Sequence, residues 1–247
     1  MNDSKPSTTR RRSQRSSRAP EDRAERTPPK PGTVTAIQSQ VRDPERVSVF
    51  IDGAFALGVA RDVAESFGLA KGTELDDDAL ANLLAQENQH KATNLALNFL
   101  AYRPRSEGEI RQRLRKADFP DTVIETTLDK LRDWRYVDDA DFARRWIENR
   151  SAHRPRGARL LAQELKAKGI ASDTMVEAID EAELDEQADA LTIARQRARQ
   201  LADLEPAVRE RRLSGFLARR GYGFDIIRTT LNSLRSEAEN DDQIEPE

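Results

Sequence analysis

The densest group of chemistry-capable side chains lies in residues 131–150, LRDWRYVDDADFARRWIENR. Asp138, Asp139 and Asp141 fall within four positions, among Trp134, Tyr136, Phe142, Trp146 and several arginines. Three chemistries suit such a set. Neighbouring carboxylates serve general acid–base catalysis when one has a raised pKa and a second group is positioned beside it. Guanidinium groups and rings suit the phosphates and bases of single-stranded nucleic acid. Aspartates ahead of an apolar run suit a helix N-terminus, where they accept from free N–H groups. Asp141 follows Asp138 by three, the acidic half of a capping-box pattern, and Phe142 and Trp146 stand four apart on one helical face. That spacing predicts a joint between two helices, with Trp134, Tyr136, Phe142 and Trp146 buried in it, and supplies no second catalytic group.

Other chemistry is thinly represented. The chain has no cysteine and two histidines, His90 and His153, so thiolate catalysis, disulfides and cysteine-rich zinc sites are excluded. Asp76, Asp77 and Asp78 could ligate a cation, but no partner ligands follow at a usable spacing, and they suit a helix start. Gly68–Thr73 (GLAKGT) places its lysine before the second glycine and lacks the phosphate-loop spacer; it reads as a loop. No catalytic residue, metal or cofactor is expected.

The elements that carry these residues differ along the chain. With 34% charged and 37% apolar residues, thin helical layers are favoured over one large core. No apolar run approaches membrane-spanning length and no signal-peptide core follows the arginine-rich start, so a cytoplasmic protein is expected. Residues 1–32 read as a disordered basic tail and 236–247 as a disordered acidic one, with six acids and no base. Residues 33–90 form a β-rich head. Val34–Gln38, Arg46–Ile51 and Ala54–Val59 predict a three-stranded meander turning at Asp52-Gly53, with Phe50 and Phe55 in its core; 60–68 and 77–87 read as helices.

The remainder repeats itself. Arg103-Pro104-Arg105-Ser106 recurs 51 residues later as Arg154-Pro155-Arg156-Gly157. The same offset carries Ile110, Leu114, Phe119, Ile124 and Leu128 onto Leu161, Leu165, Ile170, Met175 and Ile179. A further 52 reaches Leu213, Leu217, Tyr222, Ile227 and Leu231. Each copy reads as three helices, and the copies span 91–137, 138–183 and 184–235. Ser106 caps the second helix of the first copy, with Glu109 closing a capping box, and Pro120 opens the third. Gly169 and Gly221 supply the left-handed residue after the middle helix. The fold expected is mainly α: three tandem three-helix, helix-turn-helix-like repeats in an elongated curved array, behind a β-meander head.

These pieces resemble the RecX family, regulators of the RecA recombinase. The resemblance rests on Ala96–Tyr102 (ALNFLAY), Arg103–Ser106 with Glu109-Ile110 and Leu114, Tyr136–Asp139 with Phe142-Ala143 and Trp146, Arg150, Gly157 and Glu164–Ile170. It covers roughly residues 33–235. Ala117-Asp118 stands where the family often has Lys-Gly, and Arg135 where a glycine often precedes the aromatic-aspartate turn. The resemblance implies a protein without chemistry of its own that binds RecA and the RecA–ssDNA filament. It would restrain recombinase, ATPase and coprotease activity in DNA repair and the SOS response.

Charge suggests where. Residues 106–117 hold four bases against two acids, 156–168 four against one and 206–220 five against one, whereas 172–183 hold five acids and no base. Stacked middle helices would form a discontinuous positive stripe. Its lead residues are Arg103, Arg105, Arg111, Arg115, Arg144, Arg150, Arg154, Arg156 and Arg159. The plain alternative for each is a solvated arginine paired at helical spacing. Weak, sequence-blind DNA binding fits the stripe as well, and a monomer is expected. The rival function is a helix-turn-helix-like DNA-binding transcriptional regulator, for which the acidic 172–183 helix is a poor groove reader.

Overall fold

A computed structural model describes residues 28–242, with side chains to Glu239. The expected basic tail falls largely outside these residues, as does the end of the acidic one. The chain divides into two compact units, up to Asn82 and from Leu83 on.

The first unit is an antiparallel sheet: β1 (Gly32–Gln40), β2 (Asp43–Ile51), β3 (Ala54–Ala60) and a short β4 (Glu74–Leu75), in the order β3-β2-β1-β4. The expected meander is there, and β4 adds a fourth strand along the free edge of β1. Asp52 and Gly53 both take positive φ (50° and 84°), as a type I′ turn requires. Alternation buries Val47, Val49, Ile51, Leu57 and Val59. Phe50 falls on the other face of β2 and meets Phe55 edge-to-face at 5.9 Å, with Phe55 about half exposed. The phenylalanines are therefore not the core of the head: period-two geometry assigns that face to the β-branched residues. α1 (Arg61–Ser66) follows β3.

Asp76 Oδ1 accepts from the Ala79 amide at 2.8 Å, the helix-start role of this aspartate run. α2 then runs without interruption over Asp77–Leu100. The sequence predicts two helices, 77–87 and 91–102. No glycine or proline separates them, so one ladder continues through, ending two residues early and leaving Tyr102 86% exposed.

The repeats follow as α3 (Glu107–Arg115) and α4 (Asp121–Asp133); α5 (Asp139–His153), α6 (Ala158–Ala167) and α7 (Ser172–Glu181); and α8 (Glu186–Arg199), α9 (Pro206–Arg219) and α10 (Phe224–Asp242). Each has its own apolar cluster. Ile110, Leu114, Ile124 and Leu128 are buried in the first, Leu161 and Leu165 in the second, and Leu217 with Tyr222 and Ile227 in the third. Ile179, Met175 and Leu231 pack against these cores only partly buried. α10 continues to Asp242, seven residues past the expected end of the third repeat, so 236–242 are helical. Glu237 there takes Arg195 of α8 in a two-pronged pair at 2.5 and 3.0 Å.

The middle helices end alike although their residues differ. Gly169 and Gly221 adopt φ of 81° and 89°, and Asp118, at the same repeat position, adopts 61°. An L side chain pays about 1 kcal/mol in this conformation. Asp118→Gly is therefore expected to raise stability by roughly 0.5–1 kcal/mol, read as a higher urea midpoint at unchanged slope. An unchanged or lowered midpoint would show that Asp118 gains a compensating contact.

Candidate partner-binding surface

Successive repeats meet through their middle helices. Ser106 caps α3 by accepting from the Glu109 amide at 3.3 Å, and its hydroxyl donates to the Lys168 carbonyl at 2.6 Å. The positive end of one helix thereby meets the negative end of the next repeat's middle helix. Close approach demands glycine. A Cβ on Gly108 would lie 2.5 Å from the Lys168 carbonyl oxygen, and one on Gly157 2.5 Å from that of Gly221. The next repeat also caps the first turn: Asp139 accepts from the Glu107 amide at 2.9 Å, and Glu186 from the Ala158 amide at 2.6 Å. The same joint is thus built twice.

This places the aspartates of residues 131–150. Asp138 caps α5 by accepting from the Asp141 amide at 2.9 Å. Asp139 serves the joint; burial raises its pKa, opposed by the amide hydrogen bond from Glu107. Asp141 pairs with Arg145 at 2.8 Å instead of reaching back to the cap. Glu109, expected to close the capping box on Ser106, likewise turns to cations. The aromatics separate. Phe142 is buried and stacks on Trp146 at 5.9 Å, whereas Trp134 and Tyr136 meet edge-to-face and remain 50% and 60% exposed. Arg135, at φ 57°, turns the chain between them, so the buried neighbours are Leu131 and Val137. The expectation that Trp134 and Tyr136 are buried is corrected by that turn.

The candidate arginines fall into separate groups. Arg103 and Arg105 converge on Glu109. Arg103 donates to both its oxygens at 2.8 and 3.2 Å, Lys168 reaches one at 2.8 Å across the joint, and Arg105 lies 4.0 Å from one of them and 3.8 Å over the Phe99 ring. Burial opposes ionisation of Glu109, but the hydrogen bonds and charges of Arg103 and Lys168 prevail and hold its pKa at about 2. Arg150 and Arg156 converge on Glu164, which also accepts from the Trp146 indole at 2.8 Å. Arg150 covers the Trp146 ring at 4.2 Å. Arg111 forks onto Glu125 at 3.0 Å through both contacts, and Arg115 meets Asp121 at 3.1 Å, tying α3 to α4. Arg144 lies 3.9 Å from both Asp141 and Glu181. Among the described residues, Arg154 and Arg159 alone of the nine have exposed side chains without an ion pair.

A groove opens beside each joint. One of ≈ 400 Å³ is walled by Arg103, Tyr136, Asp138, Asp141, Phe142 and Trp146. The other, of ≈ 510 Å³, is walled by Arg154, Thr192, Ile193, Arg197, Phe216 and Arg220 among others. Lys168, Arg197 and Arg220 are absent from the candidate set. The signal for them was the repeat offset, which places Arg220 52 residues after Lys168 and Arg197 51 after Trp146. Among the described residues no cluster of three His, Cys, Asp or Glu residues could hold a metal, and no helix is long and apolar enough to cross a membrane.

Four family models match in order: the Regulatory protein RecX N-terminal domain at residues 32–76, and the RecX first, second and third three-helix domains at 92–131, 138–179 and 185–231. The chain is 36% identical to the Regulatory protein RecX of Bacillus velezensis and 32% to that of Bacillus subtilis, each over 87% of this chain and 81% of the relative. A solved structure described as the crystal structure of regulatory protein RecX superposes with a TM-score of 0.65 at 26% identity, over 81% of this chain and 98% of the other.

Proposed function

We propose, from the premise that the chain belongs to the RecX family of regulatory proteins, that it binds RecA and the RecA–ssDNA filament and restrains recombinase, ATPase and coprotease activity. The observation that carries the reading is the ordered match of all four family domains along one chain. The physical support is a guanidinium-rich surface on the repeats, of which Arg154 and Arg159 are uncommitted within the chain. Nucleoprotein filaments are polyanionic, and exposed arginines steer and hold such partners. The other seven arginines enter this reading as supports of the surface, since their carboxylate partners neutralise them. Action in the cytoplasm, as a monomer, belongs to the same proposal.

The test is the DNA-dependent ATPase of RecA titrated with the full chain, with a version lacking residues 1–31, and with Arg154→Glu/Arg159→Glu. Inhibition near stoichiometry is expected, with the double variant about tenfold weaker and less sensitive to salt. Wild-type protein that leaves ATPase and strand exchange untouched at stoichiometric dose defeats the proposal. Tight, sequence-selective duplex binding beside such a result would support the transcriptional regulator instead.

A further inference from the structure

The two joint grooves are copies of one design, and the second has lost its internal counter-charge. At the first joint Glu109 gathers Arg103, Arg105 and Lys168. The repeat offset carries Arg103 to Arg154, Arg105 to Arg156 and Lys168 to Arg220, so all three cations persist. Glu109 itself is carried to Leu160. Asp141 and its partner Arg145, both in the wall of the first groove, are carried together to Thr192 and Gln196 in the wall of the second.

Arg154 and Arg220 share the wall of the second groove, while Arg156 turns to Glu164. Arg220 donates to the Pro155 carbonyl at 3.3 Å, and a Cβ on Gly221 would overlap Leu160. Burial and the charges of Arg150, Arg220 and Arg154 all weaken the hold of Arg156 on its proton. Among the described residues, the cations paired with Glu164 are Arg150 and Arg156. No carboxylate lines the ≈ 510 Å³ groove, which presents Arg154, Arg197 and Arg220 with Thr192 and Gln200.

We propose that this groove binds an acidic protein segment, whose carboxylates supply from outside what Glu109 supplies within the chain at the first joint. The first joint shows the preference of these positions, since Arg103 takes both oxygens of one carboxylate there, the geometry a guanidinium fork favours. Single-stranded nucleic acid fits less well. Of the two aromatic rings in the wall, His153 and Phe216, the latter already has Arg220 at 4.8 Å and Arg197 at 5.8 Å from its centroid.

The inference goes beyond the recombinase reading, and its assay contains no recombinase, so either can fail alone. The probe is a fluorescein-labelled peptide of alternating glutamate and alanine, followed by anisotropy with the full chain. Leu160→Glu restores the internal carboxylate and is expected to weaken the peptide about tenfold; Arg154→Ala, at an exposed position, should do the same without risk to folding. Absence of saturable peptide binding overturns the proposal, as does wild-type affinity in both variants. Labelled oligothymidylate binding more tightly than the peptide, with the same sensitivity to the two substitutions, overturns it in favour of nucleic acid.

Discussion

Gly157→Val should destabilise the protein by about 3 kcal/mol and loosen the third repeat from the second. Gly157 has an ordinary backbone conformation (φ −67°), so the cost is steric. Any Cβ there meets the Gly221 carbonyl oxygen at 2.5 Å and the Tyr222 amide nitrogen at 2.7 Å, both backbone atoms that no rotamer change can move. The same displacement strains the hydrogen bond from the Gly157 amide to the Arg220 carbonyl, 2.9 Å long. Because repeat arrays are stabilised by neighbour interfaces, urea unfolding followed by circular dichroism should show a lower midpoint and a broadened or split transition. Gly223→Ala is the control, since nothing lies within 4 Å of its Cβ position, and it should stay within about 0.5 kcal/mol of the parent. A Gly157→Val protein with the parent's midpoint would mean that the joint is dispensable.

Glu109→Gln is expected to cost about 2 kcal/mol at neutral pH, with a pH dependence that identifies the cause. The folded-state pKa of about 2 lies well below the ordinary 4.5, a difference corresponding to about 3 kcal/mol. Solvent access to Arg103, 43% exposed, lowers the expected figure. The sign follows from a depressed carboxylate. Its contribution is complete above about pH 4.5 and is lost as pH falls from there toward about 2, where the folded protein also takes up the proton. The stability gap between parent and Glu109→Gln should therefore be widest near neutrality and shrink steadily below about pH 4.5. A gap that stays constant down to pH 3 would assign the loss to packing. Peptide binding at the second groove should be spared, because Glu109 belongs to the first.

Much of this architecture is legible in the residues themselves. Five apolar positions repeating at 51 and 52 mark the interior of each repeat, because a helix can bury only the side chains that return to one face. The Asp52-Gly53 turn and the Asp138 cap are local devices whose hydrogen bonds close within a few residues. Where the expected element failed, the causes differ in range. The continuous ladder of α2 and the turn at Arg135 that exposes Trp134 and Tyr136 are local, whereas the fourth strand depends on pairing with β1 that no short window contains.

The candidate arginines show the boundary most plainly. Composition and helical position make the middle helices basic, but a charge count cannot say which guanidinium already has a partner. Arg111 finds Glu125 fourteen residues away on the next helix, and Lys168 finds Glu109 fifty-nine residues away across a joint. Arg154, followed like Arg103 by Pro-Arg, finds none, because its partner position holds Leu160. Sequence alone determined the repeat, its helical period and the family it resembles, since these rest on short-range geometry and on spacing. Tertiary structure alone decided which charges cancel and which face outward, because a Coulomb interaction depends on distance through space, and folding sets that distance irrespective of separation along the chain.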